Sequence, residues 1–247
     1  MNWIETPLGS NYQRSDALGE FLKGKSVACV GPAPQNTGTG LGKTIDSYDI
    51  VVRLGDFLRG DNISEDYGSR TDILVHSFNE HDMPSFTEEC FEDMRKCKFL
   101  ICSQVSANLL HRQEDFFNAI GTQWHIVNDE VFDGTDGLRT HLSTTYGFDN
   151  VLPNTGFNGI LTMLEYDITE LFVTGMTFYD MGKWEKSYHD DWYTAGGSSR
   201  KFKSYGLNEC REHHKQLPQI KHFQEICTKY KDKIKLDQYL TDHLWSI

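Results

Sequence analysis

Compact apolar runs alternate along this chain with segments whose apolar residues recur at helical spacing. "SVACV" (Ser26 to Val30) is the first run; it stops at Gly31 and reads as a buried strand. "YDIVVRL" (Tyr48 to Leu54), "TDILVHS" (Thr71 to Ser77), "KFLICS" (Lys98 to Ser103), "QWHIVN" (Gln123 to Asn128) and "ELFVTGMTF" (Glu170 to Phe178) read the same way. Between them lie helical patterns. Ser15-Asp16, followed by Leu18, Phe21 and Leu22 with Gly24 behind, predicts a short capped helix. A second spans about Ser106 to Ile120, a third carries Phe157, Ile160, Leu161 and Leu164, and a last carries Leu217, Ile220, Phe223, Cys227 and Tyr230. Strands without polar alternation are buried on both faces, so the pattern predicts an α/β fold with a mostly parallel sheet. The polar, aromatic, glycine-spotted stretch 179–206 is expected to be a mobile loop. No repeat, low-complexity tract or linker interrupts the chain, so one domain over 1–247 is expected.

At 247 residues, 38% hydrophobic and 13% aromatic, the composition is that of a globular chain with a sizeable core. No run approaches the ~18 apolar residues of a membrane span. The opening "MNWIETPLGSNYQ" lacks the regions of a secretory signal, so a cytoplasmic location is expected. A formal net charge of −12, from 36 acidic and 24 basic residues, disfavours nonspecific nucleic-acid binding. It leaves room for a small anionic substrate held by loop amides. Cys29, Cys90, Cys97, Cys102, Cys210 and Cys227 form no C-x-x-C pair, which favours reduced thiols over a disulfide frame or zinc site.

One segment invites a nucleotide reading. "TGTGLGKT" ends in Gly42-Lys43-Thr44 like an ATP-binding loop, but Thr37 stands where the first glycine belongs. The loop also begins far upstream, at Gly31, whereas a phosphate loop turns from strand straight into helix. No G-x-G-x-x-G follows Val30 either. What remains is a loop stiffened by Pro32 and Pro34 at the carboxyl end of a strand, where open α/β sheets bind ligands. An ordinary tight connection would have the same composition.

"VACVGPAPQNTGTGLGKTIDSYDIVVRL" resembles the large sialyl motif of the sialyltransferase family, with Gly31, Gly38, Gly40, Gly42, Ile45, Asp46, Ser47, Asp49, Val51 and Arg53 in register. "EDYGSRTD" (Glu65 to Asp72) is similar to the family's D-V-G-x-[KR]-T segment, and "LPNTGFNGILTMLEYDITELFVTGMTF" to its small motif. "HDDWY" (His189 to Tyr193) sits where the family carries H-Y-Y, and His214 where it carries H-x-x-x-x-E. There are departures. Pro32-Ala33-Pro34 replaces N-S-G, Gly55 replaces the asparagine after the arginine strand, Gln219 replaces the final glutamate, and Val27 and Ile168 replace a bridging cysteine pair.

The resemblance implies a Rossmann-like nucleotide-binding domain of the GT-A-variant type, with 179–206 as a flexible lid. It implies an inverting transferase that moves sialic acid, or the related acid Kdo, from a CMP-activated donor to a carbohydrate hydroxyl. The donor would lie on Gly31, Pro32, Ala33, Asn36, Arg53, Asn154, Thr155, Gly156, Phe157, Thr174, Gly175, Met176 and Thr177, with Asn36 or Asn154 replacing the absent asparagines. The turn Asn154 to Phe157 opens a helix whose free N–H groups suit a phosphate; the same residues also suit a plain helix cap. His189 would donate to the departing phosphate and His214 would be the base, with His213 as the alternative. No cofactor or metal is expected. Asp190-Asp191 and "DGTD" (Asp133 to Asp136) read as loop acids. The partners implied are a CMP-sugar and a glycan acceptor. A non-catalytic CMP- or sugar-binding module is the rival reading, and a phosphotransferase built on "GKT" a distant third.

Overall fold

Ser26–Val30 (β1) enters the core with Val27 and Cys29 on one face of the sheet and Ala28 and Val30 on the other, all buried. Side chains of a strand point alternately to the two faces, so this run must be covered on both. The computed structural model describes residues 3–55, 63–78, 86–103, 110–127, 131, 137–149, 151–178 and 215–246. Within them β1 is joined by β2 (Ile50–Leu54), β3 (Ile73–His76), β4 (Phe99–Cys102), β5 (Gln123–Ile126), β6 (Glu170–Thr174) and β7 (Ile234–Leu236). The sheet runs β5-β4-β3-β2-β1-β6-β7, and every pairing is parallel. This is a single α/β domain with a seven-stranded parallel sheet, as the apolar runs predict.

The helices are α1 (Asp16–Leu22), α2 (Gly42–Asp46), α3 (Ile63–Tyr67), α4 (Glu88–Lys96), α5 (Leu110–Ile120), α6 (Leu138–Tyr146), α7 (Thr155–Leu164), α8 (Gln216–Lys229) and α9 (Gln238–His243). Helix α7 is apolar nearly all round and buries Phe157, Ile160, Leu161 and Leu164. Burying each such side chain contributes roughly 1.5–3 kcal/mol. Gly159 lets the helix lie directly on the sheet, since a Cβ there would come 2.6 Å from Leu54 Cδ2 and 3.1 Å from Val75 Cγ1. The expected helix from Ser106 begins, among described residues, at Leu110, and the last helix begins at Gln216 with Pro218 in its first turn. Edge strand β7 and helix α9 follow where the periodicity gave no signal. The loop 179–206 lies outside the described residues. No helix of the described residues is long and apolar enough to cross a membrane.

Two buried histidines brace the fold. His222 on α8 packs its ring 5.1 Å from that of His141 and 6.1 Å from that of Phe157. Burial, then the neighbouring His141, lowers its pKa to about 3. His125 on β5 lies 2.9 Å from the Tyr12 hydroxyl, and burial lowers its pKa to about 4. Tyr12 also meets Tyr166, while Leu8 N–H and Arg14 bind the Glu165 carboxylate, so this N-terminal strap is tied to the end of α7.

Both rings stay neutral in the folded chain at pH values where an unfolded histidine, with pKa ~6.5, is protonated. The unfolded state therefore binds more protons below about pH 6.5, and stability is full above that value and falls as the pH drops. Denaturant titrations from about pH 7 to about pH 5 should show a loss approaching ~1.4 kcal/mol per pH unit for each histidine. His222→Leu should remove its share of the slope. A slope unchanged by that substitution would show that His222 is not held neutral.

Candidate functional site

In strand order, β1 leads outward to β2 on one side, while β6 leads to β7 on the other. The switch point thus lies between the carboxyl ends of β1 and β6, where ligands bind in open α/β sheets. Gly31 follows β1 and Gly175 follows β6. The ladder continues past both strands, with Gly31 N–H donating to Thr174 O at 2.9 Å and Ala33 N–H to Gly175 O at 3.0 Å. The backbones are so close that a Cβ on either glycine would fall on the other's carbonyl oxygen. Gly175 also has φ +68, in the left-handed region that favours glycine.

Met176 links this seam to the second predicted turn. Its sulfur would lie 2.9 Å from a Cβ on Gly31 and 2.7 Å from a Cβ on Gly156. The two glycine turns therefore flank one thioether, and the structure brings together Gly31, Pro32, Ala33, Gly156, Gly175 and Met176. Gln35 fastens the seam from above: its amide donates to Ala33 O at 3.0 Å and accepts from Met176 N at 3.1 Å. Thr177, next in the chain, has a buried hydroxyl without a hydrogen-bond partner among the described residues. Phe178 follows with φ 50 and packs its ring against Phe157 and Phe223.

At the other turn Asn154 caps α7, its Oδ1 accepting from Phe157 N–H at 2.8 Å. The N–H groups of Thr155 and Gly156 and the Asn154 Nδ2 group have no partner among the described residues. Two open amides at the N-terminus of a ten-residue helix, beside a side-chain amide, make a cradle for an anion. The turn is held from below by Gln219 on α8. Its Oε1 accepts from Asn154 N–H at 3.0 Å and its Nε2 donates to Leu152 O at 3.3 Å and Lys215 O at 3.4 Å. An ionised glutamate could not make the last two bonds, which explains glutamine at this position.

Asn36 and Thr174 meet beneath the seam. The Asn36 amide lies 2.8 Å from Thr174 Oγ1, and Thr174 donates to Asp237 Oδ2 at 2.8 Å. Asp237 also accepts from Gly175 N–H and caps α9 through Leu240 N–H. Burial pushes the Asp237 carboxyl up, against the opposing pull of these bonds. The buried Asn36 side chain is thus a tie between three elements rather than an open replacement for the absent asparagines. Asp237 carries no motif signature, and Gln219 appears in the sequence only as a departure from a motif glutamate; their contacts in the structure give both their roles.

Arg53 needs a correction. Its buried guanidinium donates to Tyr67 O, Gly68 O and Arg70 O, at 2.6 to 3.1 Å, so it braces a turn instead of facing a ligand. Burial lowers its pKa to about 10. The rest of the motif does similar work. Asp46 accepts from Ser69 N–H, Ser69 Oγ–H and Arg70 N–H; burial pushes its carboxyl up, but these bonds bring it below the usual range. Arg70 donates to Asp46 O, Tyr48 O, Asp49 O and Asp72. The amides of Gly38 and Gly40, which an ATP loop would aim at phosphate, both bind the Asp66 carboxylate. Lys43 and Thr44 are exposed, while Gly42 is pressed against the Ser64 carbonyl.

His189, His213 and His214, with Asp133 to Asp136 and Asp190-Asp191, lie outside the described residues. Lys215, the neighbour of His214, is described; it adopts φ 20 and its carbonyl meets Gln219. Among the described residues no group of three or more His, Cys, Asp or Glu side chains is placed to hold a metal. Cys29, Cys90, Cys97, Cys102 and Cys227 are buried and form no disulfide among the described residues.

No family model matches this sequence, and no curated protein matches it. Solved structures do. The chain superposes on the sialyltransferase CstII of Campylobacter jejuni in complex with cytidine-5'-monophosphate with a TM-score of 0.54 at 16% identity, covering 87% of this chain and 80% of that one. For CstII with CMP-3FNeuAc the values are 0.55 and 14%, over 88% and 84%. For a mammalian sialyltransferase in complex with Gal-beta-1-3GalNAc-ortho-nitrophenol they are 0.52 and 13%, over 94% and 76%. The chain has a sialyltransferase-like fold.

The seam yields a direct test. Gly31→Ala and Gly175→Ala must each push two backbones apart, and the second also forces a Cβ into the left-handed region. Each should cost at least ~1–3 kcal/mol, seen as a lowered thermal midpoint. Gly121→Ala, at a positive φ but in open space, should cost only the conformational part. Equal losses in all three would refute the close approach.

Proposed function

We propose that this protein is an inverting glycosyltransferase that transfers sialic acid or Kdo from a CMP-activated donor to a carbohydrate hydroxyl. The observation that carries the reading is the pairing of the Gly31 and Gly156 turns across Met176, at the switch point of the sheet. The nucleoside would lie along Gly31 to Ala33 and Thr174 to Thr177, and its phosphate on the open amides of Thr155 and Gly156. Asn154 Nδ2 would supply one of the side-chain contacts that the absent asparagines leave unfilled.

Transfer needs a proton removed from the acceptor and charge accepted on the leaving phosphate. We assign the first step to His214, with His213 as the alternative. The acceptor oxygen attacks the anomeric carbon as its proton passes to the imidazole, and the bond from that carbon to the phosphate oxygen breaks to release CMP. His214 adjoins Lys215 at the start of α8, and a helix N-terminus disfavours a cationic imidazole, which keeps a base neutral. His189 would donate to the departing phosphate. The amides and the α7 dipole stabilise that anion without a metal ion. A cytoplasmic location belongs to the same proposal.

One observation favours the second reading, a non-catalytic CMP- or sugar-binding module. Gly55 stands in place of an asparagine, and the Asn36 amide is engaged with Thr174. Incubation with CMP-Neu5Ac or CMP-Kdo and simple glycosides, read by mass spectrometry, separates the two. A glycosylated product that survives excess chelator is expected. Binding of CMP without product would establish the module, and preference for ATP over CMP would defeat both readings. His214→Ala should lower turnover by ~10²–10⁴-fold while leaving CMP affinity in calorimetry unchanged. Full turnover in that variant would move the role to His213.

A further inference from the structure

Away from the switch point, two polar groups face each other at the carboxyl end of β4. Ser103 follows that strand and extends the ladder, its N–H donating to His76 O at 2.9 Å. Asn158 lies in the first turns of α7 and reaches Ser103 O with its Nδ2 at 3.4 Å. Both residues are fully buried, and neither Ser103 Oγ nor Asn158 Oδ1 has a hydrogen-bond partner among the described residues. Buried polar atoms are nearly always paired, and leaving one unpaired is costly. Here two are left in residues that touch, one just past β4 and one on α7, whose other buried side chains are apolar apart from Thr162.

Their position relative to the anion cradle is informative. Asn158 is four residues beyond Asn154, so it sits on the same side of α7, about one turn or ~5.4 Å further along the axis. Ser103 follows β4 just as Gly31 follows β1, so the pair lies along the same edge of the sheet as the seam. The sites fall in the order seam, open amides, Ser103–Asn158. A ligand whose phosphate rests on the Thr155 and Gly156 amides, with its nucleoside at the seam, extends its remaining substituent toward this pair.

We propose that Ser103 and Asn158 form an inner subsite that reads a hydroxyl or amide N–H group of the sugar attached to the nucleotide. Asn158 Oδ1 is an acceptor and wants a donor; the serine hydroxyl both gives and accepts. A sugar hydroxyl answers both atoms, whereas a carboxylate would set its charge against Asn158 Oδ1. The subsite therefore takes a hydroxylated or N-acylated part of the sugar and leaves its acid group elsewhere. This inference rests on the CMP-sugar reading.

Calorimetry with CMP, CMP-Neu5Ac and CMP-Kdo, in the absence of acceptor, tests it. Wild-type protein should bind at least one CMP-sugar more tightly than CMP. Ser103→Ala and Asn158→Leu should each reduce that advantage about tenfold, leaving the affinity for CMP itself and the thermal midpoint unchanged or raised. Ser103→Thr, which keeps the hydroxyl, should retain the advantage. An advantage unchanged in both variants overturns the subsite, and if the midpoint then falls, the pair holds a structural water instead. CMP-sugars bound no more tightly than CMP overturn it as well, with the CMP reading intact. Failure of the wild-type protein to bind CMP overturns the parent reading, and the subsite with it.

Discussion

At the centre of the sheet two backbones touch with no side chain between them, and the candidate site is built outward from that contact. Gly31 and Gly175 each occupy the space a Cβ on the other would need. Because neither has one, the β1–β6 ladder runs on past the strand ends, and the two loops leave side by side instead of splaying. The continuation fixes Met176, whose thioether then spaces the seam from the Gly156 turn. A flexible, polarizable side chain suits that place, since it fills an irregular gap between two backbones without demanding one shape. The α7 amides, Asn154 and Ser103–Asn158 take their positions from there.

The most recognisable residues in the sequence hold this frame. Arg53 donates to the Tyr67, Gly68 and Arg70 carbonyls and Arg70 to those of Asp46, Tyr48 and Asp49. Asp46 accepts from the Ser69 and Arg70 amides and Asp72 from Val51 N–H and Arg70, which ties the segment before β2 to the one before β3. Asp49 ties the same segment to β1 through Ser26. Buried arginines and partly buried carboxylates persist only where hydrogen bonds compensate their lost hydration, so few substitutions are tolerated. Such residues make a strong sequence pattern whatever the ligand. The open groups of the candidate site are mostly backbone amides, and those leave almost no pattern beyond their glycines.

That division explains what could be read from the chain. Six of the seven strands were legible because each is a short, mainly apolar run, and the parallel sheet followed from the scarcity of polar alternation among them. Strand β7, with Lys235 between Ile234 and Leu236, has neither the length nor the apolar continuity to register. The short α2 and α3 carry too few apolar positions to show a helical period. At the site, glycine and helix-cap chemistry identified the Gly31 and Asn154 turns. Arg53 differs from its expected place because an arginine at a strand end looks like a phosphate ligand until its four hydrogen bonds are traced to the Tyr67, Gly68 and Arg70 carbonyls. Asp237 and the Ser103–Asn158 pair were invisible, and Gln219 showed only as a departure from a motif glutamate, since their significance lies in contacts made across more than fifty residues.

The described part of the site is also distinctive in its electrostatics. The open groups around the Gly156 turn are dipoles, namely two backbone N–H groups and a neutral amide, at the end of a helix. The chain as a whole carries −12 formal charges, so long-range attraction cannot bring an anion here. Close-range dipoles can hold one once it arrives, because they are already oriented and need no reorganisation when charge develops on a leaving phosphate. Gln219 keeps the same logic one layer deeper. A glutamate in its place would put a negative charge directly behind the Asn154 turn and lose the donor bond to Leu152 O. With glutamine, the cradle is fixed in place without a charge behind it, and the attraction of its described groups for an anion comes from neutral dipoles, the two backbone amides and the Asn154 side-chain amide.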